Sequence, residues 1–379
     1  MMRPRLAFSR GSRRPEGTMS QYPVREPSKL ERVLFDAHLV REVSLAEIYD
    51  IKGRTSAQQE WQDPAKCGAR PDVHCPDDWN NGLYGCTRWE FFAHVLRDCK
   101  RVLDVGCGDG WPSLYLARSI PEVVGIDISP QQTDLARNTA KLAGLSRVRF
   151  EVGDISNLAS GDASFDGVCF GGNVLTYGYE AQRILREIWR VLRPGGAFVL
   201  EQYPVDRDSL PAERIQWFID GGPPIFHYGA GVGLYSRSYF IFVAPDSPQG
   251  KRLADCASRV SGYLSDQQRY LSDEQRQVCF EIKQDIENGH TDIVEKAIYS
   301  GESRSLAVDE LPALLRDIGF SDFASWALPD GGRFAGSLDR AGLLRHLRQE
   351  DLLPCIRALV ESSQTCGEWV HQHVTCRKP

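Results

Sequence analysis

Residues 101–111 read R-V-L-D-V-G-C-G-D-G-W, a short apolar run carrying Asp104 that opens into three glycines at alternate positions. No other stretch constrains the fold as much, because a buried strand has to end there in a loop built for unusual backbone angles. Gly106, Gly108 and Gly110 lack Cβ atoms, so the turn can take those angles and a ligand can lie directly against the main chain. Residues 112–119 then read as a helix. Pro112 suits its first turn, where the missing N–H has no helical partner in any case, and a helix start offers free N–H groups to a polar or anionic ligand atom.

The dinucleotide fingerprint G-x-G-x-x-G is the nearest relative of this loop. Counted from Gly106, its third glycine falls on Trp111, and an indole cannot make the close helix–strand contact that glycine allows. Dinucleotide binding is therefore disfavoured. Residues 122–128, E-V-V-G-I-D-I, form a second β-branched run, and Asp127 ends it about twenty residues beyond the loop, where a carboxylate can accept from both hydroxyls of a ribose. Ser129 and Pro130 start a helix over 131–143, with Gly144 just past its end. Further strands are expected at 148–152, 165–170 and 197–201, with a helix over 181–192 and a sharp turn at Arg193-Pro194-Gly195-Gly196. This alternation predicts an α/β fold.

An apolar strand, an acid and then G-x-G-x-G resembles motif I of the class I S-adenosylmethionine-dependent methyltransferases, of the small-molecule, type 11-like kind. Leu-Arg-Pro-Gly-Gly before a strand is also frequent in that family. The resemblance implies a Rossmann-like, seven-stranded, mostly parallel sheet with helices on both faces, and here an insertion after strand five. It also implies S-adenosyl-L-methionine as cofactor, held by Asp104, Gly106, Cys107, Gly108, Asp127, Ile128, Asp154, Ile155 and Gly171. Asp154 would meet the adenine amino group and Ile155 would supply a backbone contact. Taken singly, an Asp at a strand end is more often a helix cap or a turn residue. The ordered series of signals carries the resemblance.

The chain has 379 residues, 42% hydrophobic and 25% charged, enough for a full core plus one elaboration. No apolar run approaches the roughly 18 residues of a membrane span. A net charge of −6 argues against a nucleic-acid partner. None of the eleven cysteines forms a C-x-x-C pair, and Cys107, Cys169, Cys279 and Cys355 fall where buried elements are expected, so a disulfide framework is not expected and a reducing cytoplasm fits. Cys67, His74, Cys75 and Cys86 have metal-ligand chemistry without the spacing of a zinc module, so no metal is expected.

The expected divisions are a disordered, Arg-rich leader at 1–20, a helical cap at 21–85, the cofactor-binding core at 86–205, a substrate-lid insertion at 206–307 and completion of the core at 308–379. Met19 is an alternative start. Apolar residues over 29–51 recur at helical spacing and suggest one or two helices over the cofactor cleft. Asn81-Gly82 reads as a turn, and Tyr84 and Trp89 are candidate aromatic contacts. In the insertion, Gly221–Pro224 and Gly229–Gly233 look hinge-like, and Tyr228, Tyr235, Tyr239 and Phe240 offer an aromatic wall. A helix over 308–320 precedes strand six at 321–328. Strand seven, at 369–376, follows helices around Leu343 and Ile356.

Methyl transfer rests mainly on positioning and water exclusion, and a base is needed only for a protonated acceptor. The resemblance therefore supplies no universal catalytic residue. By position, Asn173 and Tyr177 after strand four are candidates to orient an acceptor, Glu201 and Tyr203 border the same edge, and His227 is the candidate general base. Of His371 and His373, at most one can face the cleft. The family's Asn-Pro-Pro-Tyr loop is absent, which lowers nucleic-acid bases and glutamine-type amides as acceptors. The expected activity is methylation of a small-molecule O- or N-nucleophile, with neither nucleic acid nor membrane as partner and the oligomeric state open. The alternative is a non-catalytic S-adenosylmethionine-binding regulatory or partner subunit.

Overall fold

The computed structural model describes residues 27–57, 79–172, 175, 180–205, 213–218, 225–232, 234–258, 273–328 and 349–379. In chain order the elements begin with α1 (Lys29–Asp36), β1 (Val40–Glu42), α2 (Leu45–Ala57) and α3 (Trp79–Val95). Next come β2 (Arg101–Val105), α4 (Ser113–Leu116), β3 (Glu122–Asp127), α5 (Pro130–Leu142), β4 (Val148–Val152), β5 (Phe165–Phe170), α6 (Ala181–Val191) and β6 (Leu192–Glu201). The insertion carries β7 (Glu213–Phe218), β8 (Ile225–Val232), β9 (Tyr235–Val243), α7 (Pro248–Ser258), α8 (Asp273–Glu287) and β10 (Val294–Arg304). The chain ends with α9 (Glu310–Ile318), β11 (Ser321–Ala327), α10 (Gln349–Glu361), β12 (Gln364–Cys366) and β13 (His373–Arg377).

Eight strands form the first sheet in the order β12-β11-β13-β6-β5-β2-β3-β4. Strands β2 to β6 run parallel, and β13 enters antiparallel between β6 and β11. Its central strands are apolar on both sides, as a sheet covered on two faces requires. On one face Leu103, Val124, Val168 and Phe198 pack with Ile184, Leu185 and Ile188 of α6 and Leu311 and Leu315 of α9. On the other, Phe91, Phe92 and Leu96 at α3 and just beyond it meet Val102, Val123 and Val199. Ser129 caps α5 by accepting from Gln132 N at 3.1 Å, and α9 stops at Gly319, whose φ of 110° lies in the left-handed region.

A second sheet, β1-β10-β9-β8-β7, is antiparallel except where β1 pairs parallel to β10. One of its faces is covered by α1, α7 and α8 around Tyr228, Tyr239, Leu253 and Ile282. Its other face meets Val43 and Ile48 at Ile225, Phe240, Phe242 and Ile298. At the root of the insertion, Val205 and Ala307 form a parallel bridge.

Several sequence expectations change. The helix after the glycine loop shrinks to four residues, 113–116. The eight described strands of the first sheet include β12, a three-residue edge strand that its short, polar sequence did not announce. Arg193–Gly196 lies inside β6 as an irregularity, the register shifting between Phe165↔Leu192 and Gly167↔Ala197. Asn81-Gly82 falls within α3, where burial of Trp89, Phe91 and Phe92 outweighs the local turn preference. Residues 229–232 of the expected hinge continue strand β8. Of the 29–51 helices, α1 seats on the second sheet, β1 joins that sheet, and only α2 reaches the first domain. Cys355 is exposed on α10, while Cys107, Cys169 and Cys279 are buried. Strand alternation splits the aromatic wall, with Tyr228 and Tyr239 on one face and Phe240 on the other. The leader, Cys67, His74, Cys75, Gly221–Pro224 and the helix around Leu343 lie outside the described residues.

Gly125 in β3 shows how tightly the first domain is packed. A Cβ there would stand 2.5 Å from Phe150 Cδ1 and 3.0 Å from Cys107 Sγ. Gly125→Ala is expected to destabilise the fold by about 1–3 kcal/mol, read as a lower urea midpoint with an unchanged slope.

Candidate functional site

The glycine loop leaves β2 with Gly106, Gly108 and Gly110 at φ of 68°, 53° and 106°. It is tied to the neighbouring strand because Gly106 N and Cys107 N both donate to Ile126 O, at 2.7 and 3.0 Å. The glycines do different work. A Cβ at Gly110 would stand 3.0 Å from Ala136 Cβ and 3.1 Å from Phe150 Cζ, so this residue permits close packing against α5 and β4. A Cβ at Gly108 would meet nothing within 4 Å, so the loop is open above that residue.

Asp104 is fully buried. It accepts from Ser113 N at 3.2 Å and Ser113 Oγ at 2.6 Å. The first amide of α4 is thereby committed to protein, and Asp104 shapes the loop from beneath. Burial pushes its carboxyl up to about 7, against the donors that favour its charged form. Cys107 is also buried, and desolvation raises its thiol well above the ordinary range, so it contributes backbone and packing rather than a thiolate.

Asp127 ends β3 with its carboxylate held from two sides. Oδ2 accepts from Gly108 N at 2.9 Å and Oδ1 accepts from Ser129 N at 2.9 Å. A carboxylate offers about four lone-pair sites, so acceptor capacity remains for a ligand. Burial raises its pKa, the backbone donors opposing the shift. Asp154 is exposed and accepts from Ser156 N at 2.8 Å through Oδ1, while Ile128 and Ile155 are half-buried beside the two acids. At the end of β5, a Cβ on Gly171 would lie 3.3 Å from Pro112 Cδ. Gly172, at φ 73°, would meet nothing within 4 Å.

The sequence-predicted acceptor residues are more scattered. Asn173 and Tyr177 lie outside the described residues, as does the side chain of Tyr84. His227 is buried in β8 on the sheet face that meets α2, its ring 4.8 Å from that of Phe240. Trp89 stacks on Trp111 at 5.0 Å and 18°, forming a wall behind the glycine loop. Glu201, the last residue of β6, is buried and pairs with Arg88 of α3 at 3.1 Å. His373 lies opposite Glu201 in the ladder, its ring edge-on to Phe91 at 5.6 Å. Burial, with the Arg88 charge nearby, pulls the His373 pKa down to about 3, so this histidine is neutral. Asp50 of α2 accepts from Ser129 Oγ at 2.5 Å and Gln131 N at 3.3 Å. Neither Asp50 nor Arg88 carried a sequence signal, because each meets its partners from a helix distant in the chain.

Backbone open above Gly108 and Gly172, together with the spare acceptor capacity of Asp127 and a second acid at an adjacent strand end, is compatible with S-adenosylmethionine. The described residues include no group of three or more candidate metal ligands.

The Asp104 shift has a measurable sign. Its folded value near 7 exceeds the ordinary 3.8, so its contribution to stability is complete below about pH 4 and is lost as pH rises through 7. Unfolding free energies of the parent and Asp104→Asn, measured at pH 5 and pH 8, are expected to differ in their pH slope. The parent should lose more on going to pH 8, on the order of a few kcal/mol at most. Equal slopes would contradict the assignment.

Residues 102–196 match a methyltransferase domain model. The chain is 44% identical over 123 residues to a demethylmenaquinone methyltransferase of Deinococcus radiodurans, covering 32% of this chain and 49% of that protein. It is 37% identical over 176 residues to methyltransferase GfsG of Streptomyces halstedii, covering 46% and 62%. It is also 38% identical over 143 residues to the S-adenosyl-L-methionine-dependent Diels-Alderase iccD of Talaromyces variabilis, covering 37% and 48%. The chain spans about half the length of these curated relatives. The mostly parallel sheet, the glycine loop beside Asp127 and the match over its core agree, and residues 102–196 are similar to the methyltransferase domain of the class I S-adenosylmethionine-dependent family.

Proposed function

We propose that this chain binds S-adenosylmethionine along the carboxyl ends of β2 to β5 and transfers its methyl group to an oxygen or nitrogen of a small molecule. The observation that carries the reading is Asp127, oriented by Gly108 N and Ser129 N beside a loop open to a ligand. The demethylmenaquinone methyltransferase supports a small-molecule acceptor, since its name records one. When bound, the cofactor supplies an activated methyl group on a sulfonium. The protein's part is to hold that group in line with the acceptor and keep water away, which orientation alone can make worth several kcal/mol. Asp104, Gly106, Cys107 and Gly108 shape the floor, Asp127 and Ile128 the ribose side, Asp154 and Ile155 the adenine side, and Gly171 the methionine end. Asn173 and Tyr177 orient the acceptor, and His227 takes its proton where the nucleophile is protonated.

The similarity to a Diels-Alderase that depends on S-adenosylmethionine favours a second reading, in which the cofactor is kept without giving up its methyl group. The two readings separate on product. Methyl transfer releases S-adenosylhomocysteine in proportion to turnover; the second reading releases none.

Calorimetric titration is expected to give micromolar binding of S-adenosylmethionine and S-adenosylhomocysteine, about −8 kcal/mol, and none of NAD. Asp127→Ala should weaken that binding by about 1–3 kcal/mol, the scale of a lost charged hydrogen bond. With an acceptor that supports turnover, His227→Asn should lower kcat by about a hundred-fold and leave S-adenosylhomocysteine affinity unchanged. Unaltered affinity in Asp127→Ala would remove the ribose assignment.

A further inference from the structure

Helix α2 joins the second sheet to the acid loop of the first. Its start is built into the second sheet: β1 pairs with β10 from Val40↔Ala297 to Glu42↔Tyr299, and Val43 N donates to Tyr299 O at 2.8 Å. Ser44 Oγ then accepts from Glu47 N at 3.2 Å, opening the helix two residues after the strand. Ile48 and Ile51 pack on the sheet face formed by Ile225, Phe240, Phe242 and Ile298. That face also carries His227, whose ring lies against Phe240.

Asp50 contacts the other domain. Its Oδ1 accepts from Ser129 Oγ at 2.5 Å and from Gln131 N at 3.3 Å, an anion at the N-terminus of α5. The single hydroxyl proton of Ser129 is thereby committed to Asp50, while Ser129 Oγ accepts from Gln132 N at 3.1 Å. Ser129 N donates to Asp127 at 2.9 Å, and Asp127 accepts from Gly108 N at 2.9 Å. Asp50, Ser129, Asp127 and Gly108 form one continuous run of contacts from a helix planted in the second sheet to the glycine loop. Asp50 also opposes the charge of Asp127, so the two carboxylates sit close at an electrostatic cost that the donors between them offset.

We propose that Asp50 is a positioning residue for the cofactor's ribose site, fixing Ser129 and through it Asp127, and that α2 thereby links seating of the second sheet to cofactor binding. The inference rests on the cofactor reading given under Proposed function. Two events that order the same contacts favour one another, and the coupling is reciprocal.

The test uses the full chain, S-adenosylhomocysteine as probe, calorimetry for affinity, and amide hydrogen exchange over 106–110 and 127–131. Asp50→Ala is expected to weaken S-adenosylhomocysteine about ten-fold, the loss of roughly one hydrogen bond to a charged group, and to speed exchange over 106–110. Asp50→Asn keeps an oxygen for both donors and should return affinity to within about two-fold of the parent. Ser129→Ala cuts the same run without altering α2 but also removes the α5 cap, so it should weaken affinity at least as much as Asp50→Ala. Parent-like affinity and exchange in both alanine variants, or failure of Asp50→Asn to rescue, would overturn the positioning role while leaving the cofactor reading standing. Absence of S-adenosylhomocysteine binding by the parent would overturn both.

Discussion

The Asp127 carboxylate joins two loops that leave different strands. Gly108 N reaches it from the end of β2 and Ser129 N from the start of α5, so one side chain sets the spacing between the glycine loop and the next helix. Those donors are the compensation that a largely buried acid requires. An apolar residue there would leave two backbone N–H groups to find other partners and the loop without its register. Asp104 does a related task from beneath, fully buried against Ser113. One acid therefore ties the glycine loop to the next helix and the other supports that loop from below.

The second sheet is held to the first domain by different means. The insertion enters and leaves it beside the Val205–Ala307 bridge, and α2, which follows β1 out of the same sheet, makes a further attachment through Asp50. Within that sheet, α1 is fastened by a buried polar network: Glu31 accepts from Arg237 Nε at 2.9 Å and Tyr239 Oη at 2.8 Å, while Tyr228 donates to Ser28 Oγ at 3.0 Å. Removing one partner of such a buried pair would leave an uncompensated charge, so the contacts tie α1 to this seat. The first residues described are thus part of the second sheet's core, although they precede the glycine loop in sequence.

Much of the first domain was legible because its signals are local. Alternating β-branched runs, strand-end acids, Ser129-Pro130 as a helix start and Gly144 just past the end of that helix depend on neighbours within a few residues. The misreadings came where distant packing decides. Asn81-Gly82 is helical because aromatic residues farther along α3 are buried, and the expected helix after Trp111 is cut short after one turn. The Tyr239–Phe240 wall divides because neighbouring strand residues point to opposite faces.

The sequence by itself determined the chemistry available at the strand ends: three glycines, Asp104, Asp127 and Asp154 in an order that one kind of nucleotide-bearing ligand fits. Only the tertiary structure decided their division of labour. Asp104 is turned inward, Asp127 is pinned between Gly108 and Ser129, and Asp50 and Arg88 arrive from helices that no local pattern ties to the site. A residue's type and its near neighbours are written in the chain, whereas the partner that crosses from another element is set by how sheets and helices pack.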